Sequence, residues 1–403
     1  MRSTVIFLAF ALLGAVVTSC ASADPIVGPP PQPVQDIYVP DPPGYRAVAW
    51  VEGLEVPWSL VFLGDGRALV SERPGRIRLI RDGVLQPHPY AAFEITEGAA
   101  NSLTDFFVGL VTGGEGGLMG LAVHPDFPEQ PFIYAMYTYR DADGDNANRV
   151  VRLRDMGDDM GDRARFDRVI IDGIPASRFH NGGGLAFGPD GMLYVTTGDA
   201  SKPEIAQDLK SPGGKILRLT PEGGIPDDNP FPDSPVYSYG HRNPQGPAWH
   251  PKTGHLFATE HGPSGEFGLG AYDEINLIDP GGNYGWPEVV GAPGLVDFID
   301  PIVVWTQDAV PPGDAAFHDG ALFVATMKSE SLVRIELAQT ADDYRVKRIA
   351  HWFADEWGEG RYGRLRDVTV GPDGTLYFTT TNRDGRGDPR PGDDTIYRLE
   401  RVD

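Results

Sequence analysis

The chain has 403 residues, 41% of them hydrophobic, which is enough for a sizeable core; its 51 glycines and 37 prolines suit short strands joined by turns better than long helices. A formal net charge of −23 argues against a nucleic-acid partner, which needs a basic stripe. A single cysteine and nine scattered histidines leave no paired-cysteine zinc site and no disulfide framework.

At the N-terminus, Arg2 precedes an apolar run over residues 5–17 that is too short to span a bilayer and suits the core of a secretory signal. Val17-Thr18-Ser19-Cys20 resembles a lipobox, so residues 1–19 are expected to be a lipoprotein signal peptide. Ordinary cleavage near Ala21-Ser22-Ala23 is the alternative. On the first reading the protein is exported to the cell envelope (outer membrane face or periplasm), and its only membrane contact is a lipid on Cys20. Residues 20–44 are proline-rich and are expected to form an extended, semi-rigid tether outside the fold, leaving residues 45–403 as the folded domain.

From there the chain repeats. Six strand–turn–strand units begin at Trp58, Met119, Gly183, Gly246, Asp314 and Asp367, and most are followed by a further amphipathic strand such as GRIRLI from Gly75 or GGKILRLT from Gly213. The turns at Asp65, Asp126, Asp190, Lys252, Asp319 and Asp373 lie about 60 residues apart, and the strands alternate apolar and polar residues. This pattern predicts an all-β chain, a six-bladed β-propeller of four-stranded antiparallel blades. The strand over residues 45–51 is placed to pair with a C-terminal strand and close the ring. Extra loop length gathers at residues 141–148, 198–214 and 260–273, and loops on one face of a rigid scaffold are where sites are built.

Several tempting motifs fail. Gly182-Gly183-Gly184 leads into a strand, not the helix a dinucleotide fingerprint needs. Asp141-Ala142-Asp143-Gly144-Asp145-Asn146 resembles a calcium loop, but its glycine comes too early and Arg152 stands at the bidentate glutamate position, so a solvated turn is expected. What remains is a set of polar residues at strand ends. His180 precedes the glycine run, which is expected to let the backbone approach a bulky ligand. Arg242, Asn243 and Gln245 lie together in GHRNPQG; Gly262 and Pro263 follow a strand; Glu274 and Tyr284 lie in DEINLI and GGNYGWP. Lys328, Arg364 and Arg366 add cations at corresponding points of the last two units, and in so acidic a chain their convergence suggests a poly-anionic ligand.

These residues lie in GEGGLMGLAVHPDF, FHNGGGLAFGPDG, GHRNPQG, EHGP…DEINLI…GGNYGWP, ATMKSESLVRI and RLRDVTVGPDG. Over residues 45–402 the chain resembles the soluble, pyrroloquinoline-quinone (PQQ)-dependent aldose sugar dehydrogenases of the glucose/sorbosone dehydrogenase family. The resemblance implies oxidation of an aldose at C1, with His180 as general base, hydride passing to the quinone and electrons passing to an external acceptor. It implies that Arg242 polarises a quinone oxygen, that Asn243 and Gln245 lie at the cofactor, and that Lys328, Arg364 and Arg366 bind its carboxylates. Gly262 and Pro263 match carbonyl ligands of a calcium that also holds the cofactor, and Glu274 and Tyr284 match a second calcium. Two positions depart from the family's pattern. Glu115 stands beside the cofactor where glutamine is common, and an acid there repels the cofactor's carboxylates unless it is protonated or turned toward a cation. Phe179 stands where glucose-oxidising relatives have aspartate, so different substrate contacts are expected. Two other readings use the same mouth: a non-catalytic, lipid-tethered binding module, and a calcium-dependent lactonase on a similar propeller.

Overall fold

The computed structural model describes residues 24–96, 114–157, 163–339 and 343–402. The apolar run of the signal and Cys20 lie outside the described residues. Six antiparallel sheets of four strands form the blades of a propeller. The first strands, Pro57–Phe62, Leu118–Val123, Leu185–Phe187, Pro244–Trp249, Pro312–His318 and Leu365–Val370, meet one another around the axis. Each blade then steps outward by hairpins. In the third and sixth blades the hairpin is the Gly-Pro-Asp-Gly turn, closed by the amides of Gly191 and Gly374 on the carbonyls of Gly188 and Gly371, 2.9 Å in both cases. Tyr45–Val51 pairs antiparallel with Ile396–Arg401 as the outer strand of the sixth blade, so the two ends of the domain close the ring.

The core lies between blades. One cluster joins Met119 and Tyr134 of the second blade to Leu193, Val195 and Leu217 of the third; another joins Phe257 and Ile275 of the fourth to Leu322 and Val324 of the fifth. Buried hydroxyls add a repeated tie. Ser71, Thr196 and Thr259, each on a second strand, donate to the carbonyls of Met119, Gln245 and Gly313 on the first strand of the next blade, at 2.6, 2.9 and 2.6 Å. These hydrogen bonds satisfy inner-strand carbonyls that a hairpin leaves unpaired.

Two expectations change. Residues 24–44 are extended but do not run free. Ile26–Val27 pairs in parallel with Val289–Val290, and Gln35–Val39 adds a fifth strand beside Tyr344–Trp352 of the fifth blade. The prolines keep this strap extended, and the two short strands between them give it main-chain partners. The glycine run also has a different reason from the one expected: a Cβ on Gly184 would lie 2.0 Å from the Gln245 carbonyl, and one on Gly183 2.8 Å from the Trp58 ring. Close packing between blades, more than room for a ligand, demands glycine there.

Candidate active site

His180 enters the third blade just before its first strand, with a left-handed φ of 59° that non-glycine residues rarely adopt. Its ring is held from behind. Nδ1 lies 2.8 Å from Asp199 Oδ1, at the end of the same blade's second strand. Asp199 is itself fixed, because Trp286 Nε1 donates to its Oδ2 and the Ser201 amide to its Oδ1, both at 2.8 Å. With the carboxylate accepting, Nδ1 carries the proton and Nε2 keeps a lone pair. Nε2 faces Glu266 Oε1 at 3.7 Å. That carboxylate also receives Arg242, from Nη2 at 2.6 Å and Nε at 3.2 Å. Burial opposes ionisation of Glu266, but Arg242 and His180 outweigh it and lower its pKa to about 2.

The amides of the GHRNPQG segment extend the network. Asn243 Oδ1 accepts from the Gly182 amide at 2.9 Å and from Gln245 Nε2 at 3.1 Å. Gln245 Oε1 in turn accepts from Arg366 Nη2 at 2.8 Å, and the Arg366 guanidinium lies 4.2 Å above the Trp58 ring. Glu115 joins from the other side: its Oε2 accepts from the His180 amide at 3.0 Å and from Asn243 Nδ2 at 3.3 Å. Burial works against its charge, yet Arg386, His261 and His180 lower its pKa to about 2. Glu115 is thus turned toward a cation, one of the two arrangements under which an acid is tolerable there. His261 donates from Nε2 to the Pro312 carbonyl at 2.8 Å, and burial pushes its pKa down to about 3.

Glu115, His180, Arg242, Asn243, Gln245 and Arg366 therefore form one connected cluster. Arg364 is paired at 2.8 Å with Asp384, whose charge also acts on Arg366, while Lys328 lies 5.2 Å over the Trp357 ring. Arg366 and Lys328 make no ion pair with a carboxylate among the described residues, so the donor set suits an anionic ligand. A cavity of about 30 Å³ opens between Trp58, Glu115, His261, Met327 and Arg366.

The four residues matched to calcium line a second, neighbouring cavity of about 20 Å³, together with Arg242 and Glu260. Glu274 is withdrawn from water beside the Glu260 charge, and both effects hold its pKa well above the usual carboxylate range. Asn276 donates to both carboxylates, and its own Oδ1 is buried without a hydrogen-bond partner. Crowded carboxylates, an orphaned amide oxygen and the carbonyls of Gly262 and Pro263 are the hard oxygen donors that calcium takes. The Tyr284 hydroxyl is already engaged, donating to the Leu277 carbonyl at 2.6 Å, which leaves its backbone carbonyl for a metal. The 141–146 loop is a turn closed on itself, with Asp141 Oδ1 accepting the amides of Asp143 and Asp145.

Asp199, Glu266, His261 and Arg386 were not among the expected site residues. Asp199 had a signal, since it ends the strand paired with the one His180 precedes. Glu266 lies in a loop flagged only by its length.

Residues 54–397 match the model of the glucose / sorbosone dehydrogenase family. A putative oxidoreductase (glucose dehydrogenase) from Thermus thermophilus superposes with a TM-score of 0.78 at 51% identity, over 88% of this chain and all of that one. The PQQ-bound aldose sugar dehydrogenase of Streptomyces coelicolor gives 0.72 at 39% identity, over 89% of this chain and 99% of the other. Aldose sugar dehydrogenase YliI of Escherichia coli is 30% identical over 360 residues, 82% of this chain and 89% of its own length. The chain belongs to the glucose/sorbosone dehydrogenase family.

Proposed function

We propose that the protein oxidises the C1 hydroxyl of an aldose sugar to the lactone, using PQQ and calcium, and passes the electrons to an external acceptor. The observation that carries this reading is His180, its Nδ1 held by Asp199 and its Nε2 facing Glu266, the carboxylate that also holds Arg242. Nε2 takes the hydroxyl proton as the C1 hydride leaves, and Asp199 stabilises the imidazolium that results. When bound, the quinone supplies the two-electron sink for that hydride. Arg242 presents its guanidinium where negative charge grows, and Glu266 keeps it oriented. Lys328, Arg364 and Arg366 hold the cofactor's carboxylates, with Asn243 and Gln245 fixing the geometry around them. Gly262 and Pro263 offer carbonyls to one calcium; Glu274 and Tyr284 hold the second.

Family membership, a matching cation cluster and oxygen donors placed for calcium all support this reading. Export and anchoring through Cys20 belong to the same proposal. The test is to add PQQ and calcium to the purified apo protein and follow reduction of a dye by a panel of aldoses. Wild type is expected to turn over and His180→Ala to lose at least about a hundredfold in rate. Dye reduction by no sugar, despite bound quinone, overturns the reading. The same assay on fractionated cells expressing the full chain reports the anchor, since anchored activity sediments with membranes.

A further inference from the structure

Glu115 and Phe179 are the two positions at which this chain departs from its family's pattern, and one side chain meets both. Arg386 Nη1 lies 3.6 Å from Glu115 Oε1, and the same guanidinium sits 5.3 Å from the centre of the Phe179 ring. Arg386 comes from the loop between the second and third strands of the sixth blade, far from either residue in sequence. That loop is fixed to the cation cluster: Asp384 accepts the Arg386 amide on Oδ1 at 2.8 Å and Arg364 on Oδ2 at 2.8 Å. Gly387 lets the loop come this close, because a Cβ there would meet Arg364 Cδ at 2.7 Å.

The charges make the pairing consequential. Glu115 bonds to the His180 amide and to Asn243, so its charge lies among groups that serve the reaction. Uncompensated, it opposes an anionic ligand and favours the protonated imidazole, which cannot act as a base. A guanidinium 3.6 Å away cancels most of that field at the distance of the ligand. At that separation the contact is an ion pair without a tight hydrogen bond. The side chain stays 31% exposed and lines the same small cavity as Trp58, Glu115 and Arg366.

We infer that Arg386 is a further binding and positioning residue of this site, acting with Glu115 as one compensated pair against Phe179 and letting a carboxylate stand where the family uses an amide. The inference rests on the proposed quinone reading for its ligand, a poly-carboxylate cofactor.

Two measurements on Arg386→Ala, Arg386→Lys, Glu115→Gln and the double variant Glu115→Gln/Arg386→Ala test it. The first is PQQ affinity in saturating calcium, by fluorescence quenching. Arg386→Ala is expected to weaken binding about tenfold or more, and Arg386→Lys to retain most of the affinity. Glu115→Gln and the double variant should stay within about threefold of wild type, because the amide needs no counter-cation. Arg386→Ala binding as wild type does, or the double variant binding as poorly as Arg386→Ala, overturns the pair. The second measurement needs no quinone: the His180 titration, followed by NMR, should move to higher pH in Arg386→Ala and return in the double variant. If wild type takes up no quinone, the proposed function fails, and the His180 titration still decides the pair. An unmoved titration in Arg386→Ala then refutes it.

Discussion

In the proposed reaction His180 serves as a base only because its two ring nitrogens have different partners. The Asp199 carboxylate accepts a hydrogen bond from Nδ1–H, and Trp286 and the Ser201 amide prevent that carboxylate from turning away. Asp199→Asn keeps the shape but offers the ring either an acceptor or a donor, so the tautomer is no longer imposed. Turnover is expected to fall by about 10²–10⁴-fold with little change in PQQ affinity, because no Asp199 atom takes part in the cation cluster. Steady-state kinetics beside a binding titration check this; an equal loss in both would make Asp199 a general structural prop. At this scale the sequence was legible where a residue type announces its chemistry. A histidine before a glycine run and an arginine beside two amides stand out by residue type, and the fold brings both into one cluster. Asp199 and Glu266 were not singled out because an aspartate after a strand and a glutamate in a glycine-rich loop look like ordinary surface carboxylates. Only the folded chain brings them to the two sides of one imidazole.

The loops that carry these residues are held by elements whose function the strand pattern hid. Lys215 opens the third strand of its blade, fully buried, and its Nζ donates to three backbone carbonyls, of Ile205, Ala206 and Gly213, at 2.9, 2.9 and 2.7 Å. In sequence it is one polar residue in GGKILRLT, alternating with apolar ones as any strand residue does. In the fold it ties together the loop between Asp199 and its own strand. That loop reaches the site: Ala206 packs with Trp286, which bonds Asp199. Lys215→Met fills much the same space but takes one donor from each of three carbonyls; those of Ile205 and Ala206 keep the Asp208 and Gly240 amides, whereas that of Gly213 loses its ammonium donor, and a buried carbonyl left unpaired costs about 1–3 kcal/mol. The variant is expected to melt several degrees lower and to turn over more slowly with an altered pH profile. Thermal melts beside a pH–rate profile test this; unchanged melting would mean the loop is held by its other contacts. The N-terminal strap teaches the same lesson. Its prolines point to extended chain, but composition says nothing about which edge such a chain meets. Val289–Val290 and the outer strand of the fifth blade are those edges, and Val289 and Val290 also line the calcium-suited cavity.

Across the whole molecule, six repeats closing on one another impose a ring of equivalent positions, and departures from equivalence carry information. The repeat spacing and the turn chemistry were sufficient for blade number and ring closure, because both follow from local pattern. Charge in the centre of the ring does not. At the equivalent position at the first strand of each blade, four blades present Ser59, Gly120, Gly184 and Gly246, while the fifth and sixth present Asp314 and Asp367. These two acids are near neighbours, and Asp367 Oδ1 has no hydrogen-bond partner among the described residues. Burial raises both: Asp314 to about 6, and Asp367 well above the usual range with the Asp314 charge adding to the effect. Asp367 also accepts the Leu60 amide at 2.5 Å, so the pair closes the seam between the last blade and the first. The folded protein therefore binds more protons than the unfolded chain between about pH 4 and pH 6. Stability contributed by Asp314 is complete below the unfolded pKa and is lost as pH rises through about 6, by roughly 3 kcal/mol for a two-unit shift, and Asp367 adds a loss of the same sign. Asp367→Asn removes one charge and keeps an oxygen for the Leu60 amide. Its stability in denaturant, measured from pH 4 to pH 8 in saturating calcium, should fall less steeply than wild type and exceed it at pH 8. Parallel curves for the two proteins would mean that the pair is ionised at no cost and that another group holds the seam.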